Sequence, residues 1–135
     1  MEFQKLDFEN YSPGDMVKYS EKFLKMISSR RTVRDFSDKS IPIDAVKNAI
    51  RVAASAPSGA NKQPWHFVIV KDQSIKKKIR IAAEREEKEF YENRAPDYWL
   101  EDLNQFKTNW NKPFLETAPI LIAVFRQSYA ERGSI

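Results

Sequence analysis

Two stretches of this sequence read as β-strands, HFVIV at 66–70 and TAPILIAVF at 117–125, with residues 71–116 between them. Both are rich in the β-branched and aromatic residues that suit a pleated surface, and turn-forming residues bound them. Strands so far apart cannot be the arms of a tight hairpin. Each must pair with something. Two strands are also too few for a sheet that stands alone. The missing strands come either from another chain or from further residues of the same domain. Sheet arithmetic favours the second, a chain that is the front part of a longer domain. The continuous apolar run TAPILIAVF agrees, being of the type covered on both faces.

Helical patterns fill the rest. Met16, Val17, Tyr19, Phe23, Met26 and Ile27 recur at helical spacing, and SSRR interrupts them, which leaves RRTVR just beyond a helix C-terminus. Pro42 suits the first turn of a helix running to about Ser55 with Ile43, Val46, Ile50 and Ala53 inward. APSGANKQPW, with two prolines and a glycine, is not a regular element. A long charged helix is expected from about Ser74 to Asn93, stopped by RAPDY, and residues 98–112 read as a short helix and lid. The order helix, helix, strand, long helix, lid, strand is α/β in the broad sense, here α+β.

Composition narrows the chemistry. The chain of 135 residues and 15.8 kDa is enough for one domain, and nine phenylalanines and three tryptophans demand burial. With no cysteine, disulfides, thiolate nucleophiles and cysteine metal sites are excluded. His66 is the single histidine; it opens an apolar strand, reads as structural, and has no partner for a metal. The formal charge is +4, but KKKIR is followed by EREEKE, so no contiguous basic face for nucleic acid is expected. No apolar run is long enough to span a bilayer, and MEFQKLDFEN lacks the pattern of a secretory signal, so a cytoplasmic location is the default expectation. Neither the paired carboxylates of a glycosidase nor a nucleophile elbow occurs. The chemistry has to be borrowed from a cofactor.

Three groups of residues stand out. Arg30, Arg31 and Arg34 are either a solvated basic turn or guanidinium forks for a phosphate; Arg30 and Arg34 would share a face if the segment were helical. Ser58 and Gly59, behind Pro57, are either a tight helix-to-strand turn or a loop whose N–H groups and hydroxyl grip a flat ligand. Glu87 and Tyr91 lie four apart on one helix face, and Lys112 sits in a segment able to fold back over them. These three are either part of a solvated face or an anion, a phenol and a cation matching an amino-acid zwitterion.

Taken in order, RRTVRDFSDKSIP, a helix and ASAPSGANKQPWHFVIVKD resemble the N-terminal half of the FMN-dependent nitroreductase superfamily. KKKIRIAAEREEKEFYENR with KTNWNKPFLETAPILIAVFRQ is similar to its iodotyrosine deiodinase branch, and the resemblance covers Tyr19 to Gln127. It implies a central mixed sheet flanked by helices, cut short after the second core strand, with residues 1–18 as an N-terminal extension and 19–135 as the front of the FMN-binding domain.

The resemblance also implies roles. Arg30, Arg31, Thr32 and Arg34 would hold the FMN phosphate, ribityl chain and pyrimidine edge, and Pro57, Ser58 and Gly59 would lie against the isoalloxazine. The backbone N–H of Ala60 would meet a substrate phenolate, while Glu87, Tyr91 and Lys112 would clamp the ammonium and carboxylate of a halotyrosine. No side chain would be catalytic in its own right, and no metal would take part. The implied activity is reductive dehalogenation of halotyrosines such as 3-iodotyrosine, in a homodimer with FMN at the subunit interface and NAD(P)H, directly or through a reductase, as electron source. The later strands, a hydroxyl residue for the flavin N5 and a segment wrapping the partner subunit would follow Ile135. Two other expectations are a broader FMN nitroreductase and a non-catalytic truncated fragment.

Overall fold

The computed structural model describes residues 5–128. Contacts divide the chain after Val33 into two units. The first is built on helix α1 (Pro13–Ser28), which runs across the boundary expected at residue 18. The Ser12 hydroxyl oxygen caps it by accepting from the Asp15 N–H at 3.2 Å, and Pro13 begins it where no N–H is needed. None of its residues is buried; Phe23, Leu24, Met26 and Ile27 all face outward. At its C-terminal end Arg31 Nη1 donates to the carbonyls of Ser28 at 2.7 Å and Arg30 at 2.8 Å. Residues 30–42 are irregular, so Arg30 and Arg34 do not share a helical face as their spacing suggested.

The second unit begins with α2 (Ile43–Ala54). Pro42 stands at its N-cap rather than inside its first turn. Val46 is buried and Ile43, Ile50 and Ala54 are half-buried, a stripe stepping by three and four residues. Ala53, expected inward, lies off that stripe and is exposed.

Strand β1 (Trp65–Val70) pairs antiparallel with β2 (Leu121–Arg126), from Trp65 opposite Arg126 to Val70 opposite Leu121. The Gln127 N–H continues the ladder to Pro64 O at 2.7 Å. Trp65, Phe67 and Ile69 are half-buried while His66 and Val68 are exposed, an alternation along β1 that ends at the buried Val70. His66 therefore stands in solvent rather than within the fold. Along β2, Ile122 and Val124, opposite Ile69 and Phe67, are exposed, and so is Phe125 opposite His66, so among the described residues this apolar strand has exposed side chains on both faces. β2 also starts at Leu121 rather than 117, because Pro113 sets off a short helix, α5 (Phe114–Thr117), and Pro119 has no N–H for a ladder.

Helix α3 (Gln73–Glu89) is the scaffold of the unit. The Asp72 carboxylate caps it, accepting from the Ile75 N–H at 3.0 Å and the Ser74 hydroxyl at 2.6 Å. It ends in a wide turn, Phe90–Arg94, closed by the Ala95 N–H on Phe90 O at 2.8 Å, and Pro96 prevents continuation. Helix α4 (Asp97–Asn104) and an irregular stretch lead into α5. Lys76, only 3% exposed, ties α3 to the end of α5. Its ammonium donates to Ala118 O at 2.7 Å and Glu116 O at 2.9 Å, and Gln73 Nε2 donates to Glu116 O at 3.3 Å. These are carbonyls a helix end leaves without partners, so a buried cation completes the α5 terminus. Among the described residues no helix is long and apolar enough to cross a membrane.

Candidate functional site

The loop after α2 folds back on itself. The Ser58 carbonyl accepts from the Asn61 N–H at 2.9 Å and its hydroxyl oxygen accepts from the Gln63 N–H at 2.9 Å. Ala60, Asn61 and Gln63 all hold left-handed backbone conformations, with φ of 51°, 53° and 47°. Such conformations are costly for residues with a Cβ and persist only where surrounding bonds impose them. Here bonds to Ser58 help impose them, and its hydroxyl, accepting from the Gln63 N–H, keeps its proton to donate. Gly59 differs: a Cβ built there meets nothing within 4 Å, so packing among the described residues does not require glycine. The Ala60 N–H has no backbone acceptor among the described residues.

A cavity of about 590 Å³ opens between α3, α4 and the segment leading to α5. Glu87, Tyr91 and Lys112 all line it, together with Arg34 and the apolar groups of Trp99, Leu103, Phe106 and Phe114. The α3 register places Glu87 and the first residues of the wide turn on one side. Lys112 comes across from the far side, its Nζ 2.7 Å from Glu87 Oε2 and 3.0 Å from Asn109 O. Tyr91 donates its hydroxyl proton to Thr108 Oγ1 at 3.0 Å, and Thr108 donates onward to Leu103 O at 3.3 Å. With that proton committed, the Tyr91 oxygen offers lone pairs to a donor in the cavity. The cavity thus holds the carboxylates of Glu87 and Asp35, the cations of Arg34, Lys107 and Lys112, and an oriented phenol beside aromatic walls.

The expected residues fall into separate groups. Glu87, Tyr91, Lys112 and Arg34 share this cavity; Pro57, Ser58, Gly59 and Ala60 form the loop before β1; Arg30, Arg31 and Thr32 belong to the first unit, where all three are exposed. Among the described residues no cluster of histidine, aspartate and glutamate side chains is placed to hold a metal ion.

Sequence reasoning missed Thr108 and the charged group behind Lys112. Glu84 Oε1 accepts from Arg80 Nε at 2.7 Å and from the Lys112 N–H at 2.8 Å. The Arg80–Glu84 spacing of four on a helix was a readable signal, whereas the bond to the Lys112 backbone left none. The Arg80 guanidinium, then the Lys112 N–H, holds the Glu84 carboxyl below its ordinary value of 4.5. A lowered folded-state pKa means stabilisation that is complete above the unfolded value and lost as pH falls through the folded one. Urea midpoints measured from pH 6 down to 3 should therefore separate wild type from E84Q at the upper end and converge at the lower. Parallel curves would remove this pair from the acid sensitivity.

Comparison with known proteins gives a consistent result. The nitroreductase family model matches residues 27–134. The chain is 51% identical over 119 residues to the iodotyrosine deiodinase of Haliscomenobacter hydrossis, covering 88% of this chain and 54% of that one. To human iodotyrosine deiodinase 1 it is 45% identical over 118 residues, covering 87% of this chain and 41% of that one. A crystal structure of oxidized iodotyrosine deiodinase bound to FMN and 3-iodo-L-tyrosine matches with a TM-score of 0.71 at 42% identity, over 76% of this chain and 55% of that one. A BluB-like flavoprotein from Clostridium difficile matches with a TM-score of 0.56 at 28% identity, over 82% of this chain and 51% of that one. The chain spans about half the length of these relatives, or somewhat less. An antiparallel strand pair, helix α3 tied to α5, a strained loop before β1 and a charged cavity behind α3 are here part of a nitroreductase fold, and the chain belongs to the nitroreductase family, on its iodotyrosine deiodinase branch.

Proposed function

We propose that the protein to which this chain belongs is an FMN-dependent oxidoreductase that removes halogen reductively from halotyrosines such as 3-iodotyrosine. The observation that carries this reading is the meeting of Glu87, Tyr91 and Lys112 around one aromatic-walled cavity. A carboxylate suits the ammonium of a free amino acid, a lysine suits its carboxylate, and the Tyr91 oxygen supplies a further acceptor. The relatives that bear the deiodinase name, one solved with FMN and 3-iodo-L-tyrosine, support the same reading.

The residues present fit a flavin. Arg31 uses Nη1 on two carbonyls, which steadies a guanidinium whose other N–H groups suit a phosphate; by the family resemblance Arg30, Thr32 and Arg34 would also contribute to holding FMN. Gly59 has open space where a side chain would stand, and with Pro57 and Ser58 it offers backbone for a flat ring. Ala60 presents an N–H for a phenolate oxygen, and a donor there controls the charge on the substrate ring. When bound, FMN supplies the two electrons that, with one proton, convert the carbon–halogen bond to carbon–hydrogen and release halide. The chain's residues bind and orient: the zwitterion clamp fixes one end of the substrate and the Ala60 N–H the other.

Homodimer formation, NAD(P)H or a reductase as electron source, and a cytoplasmic setting complete the proposal. The exposed apolar residues of α1 supply surface for a second subunit. The test is titration of 3-iodo-L-tyrosine into the oxidised, full-length flavoprotein, with a saturable change in flavin fluorescence expected. A flat response would leave a nitroreductase of broader range; a 135-residue chain that, expressed alone, is neither monodisperse nor yellow would leave a non-catalytic fragment.

A further inference from the structure

Glu84 and Glu87 stand three residues apart on α3, hence on one face, and both reach the same residue. Glu87 pairs with the ammonium of Lys112, whereas Glu84 accepts its backbone N–H at 2.8 Å. The Glu84 carboxylate is not free to wander. Its Oε1 also accepts from Arg80 Nε at 2.7 Å, and its side chain is only 16% exposed. Arg80 reaches further, to Glu116 Oε1 at 3.3 Å and Asn111 Oδ1 at 3.2 Å, so one guanidinium touches the chain on both sides of Lys112.

On its C-terminal side the Lys112 carbonyl accepts from the Leu115 N–H of α5 at 3.1 Å; on its N-terminal side less holds it. The stretch before it is irregular, with Lys107 in a left-handed conformation at φ 51°. The Asn111 N–H is satisfied locally by Asn109 Oδ1 at 2.9 Å, and Pro113 has no N–H to offer. Among the described residues, the bond to Glu84 is the one hydrogen bond from the backbone of 107–112 to α3. A flexible lysine opposite Glu87 would lose rotamer freedom each time it met a ligand, and anchoring its backbone reduces that cost in advance.

We propose that Glu84 is the positioning residue of the zwitterion clamp: held by Arg80, it fixes the backbone of Lys112 so that the ammonium stands opposite Glu87. In this role Glu84 touches neither substrate nor cofactor and acts through Lys112. The inference rests on the halotyrosine reading for its ligand, but its geometric part is measurable without one.

The experiment uses the full-length flavoprotein as wild type, E84A, E84Q and K112A. Hydrogen exchange reads the Lys112 amide, and calorimetric titration compares 3-iodo-L-tyrosine with 2-iodophenol, which has neither ammonium nor carboxylate. E84A should speed exchange at Lys112 and weaken 3-iodo-L-tyrosine roughly tenfold, the size of a lost charged hydrogen bond. Binding of 2-iodophenol should stay within about twofold, since uncharged contacts do not pass through Lys112. E84Q keeps an acceptor for the N–H and should retain most of the affinity. In K112A, which keeps the N–H, adding E84A should cost nothing more. Equal loss of both ligands, or Lys112 exchange indifferent to E84A, overturns the proposal. Should wild type fail to bind 3-iodo-L-tyrosine while its Lys112 amide responds to E84A, the substrate reading falls and the positioning geometry stands.

Discussion

In the full-length flavoprotein, E87Q is expected to weaken binding of 3-iodo-L-tyrosine by roughly 10–100-fold, the range of a charged hydrogen bond at about 1.5–3 kcal/mol. Glutamine keeps the shape and one acceptor, so the loss reports charge rather than packing. Two effects add. The ligand's ammonium loses its counter-ion, and Lys112 loses the partner at 2.7 Å that holds its ammonium in the cavity, leaving Asn109 O at 3.0 Å. Turnover of a nitroaromatic without a zwitterion is the control, and it should change by less than about threefold because such a substrate gains nothing from the charge. Equal losses for both substrates would favour the broader nitroreductase reading, since Glu87 would then serve the fold of the cavity and not an amino acid.

The second large effect is expected at Arg31, with flavin content as the readout. R31A should lower FMN affinity by roughly tenfold or more, the loss of charge-assisted bonds to a phosphate. Lysine should not restore it. The Arg31 guanidinium lies across the Ser28 and Arg30 carbonyls, at 2.7 and 2.8 Å, which fixes its plane and leaves its other N–H groups for a ligand. An ammonium is a point charge without that fork and cannot hold the helix end and present parallel donors together. Equilibrium dialysis of FMN against wild type, R31A and R31K measures this directly. If R31K bound FMN like wild type, Arg31 would contribute charge alone and its fixed plane would not matter.

Much of the fold was readable because the relevant signals are local. The helical spacing of Met16 to Ile27, Pro42 ahead of α2 and the β-branched residues of β1 each announce their element within a few positions. What escaped was decided at a distance or by single backbone groups. TAPILIAVF reads as one apolar run, yet Pro113 starts a helical turn and Pro119 cannot enter a ladder, so the strand is shorter than its composition suggests. The end of α3 widens into a turn with nothing in FYENR to mark it.

The site divides in the same way. The spacing of Glu87 and Tyr91 placed them on one face, but only folding of residues 97–112 across α3 brings Lys112 to within 2.7 Å of Glu87. Thr108, which orients the Tyr91 hydroxyl, and Glu84, which holds the Lys112 backbone, act through bonds that residue type does not foretell. Ser58 was legible as a loop residue, yet its hydroxyl oxygen turned out to serve the Gln63 N–H.

The pairing of β1 with β2 has a consequence for how the chain is made. Among the described residues the partners of β1 lie between Leu121 and Arg126, so the strand leaves the ribosome long before the residues that pair with it here. At about 5–20 residues per second that interval lasts on the order of several seconds, during which WHFVIV is an open, apolar edge. Such edges recruit other strands unless something blunts them. Here Pro64 stands immediately before the strand, with Lys62 and Lys71 on either side, a flank of proline and positive charge that guards it during the wait.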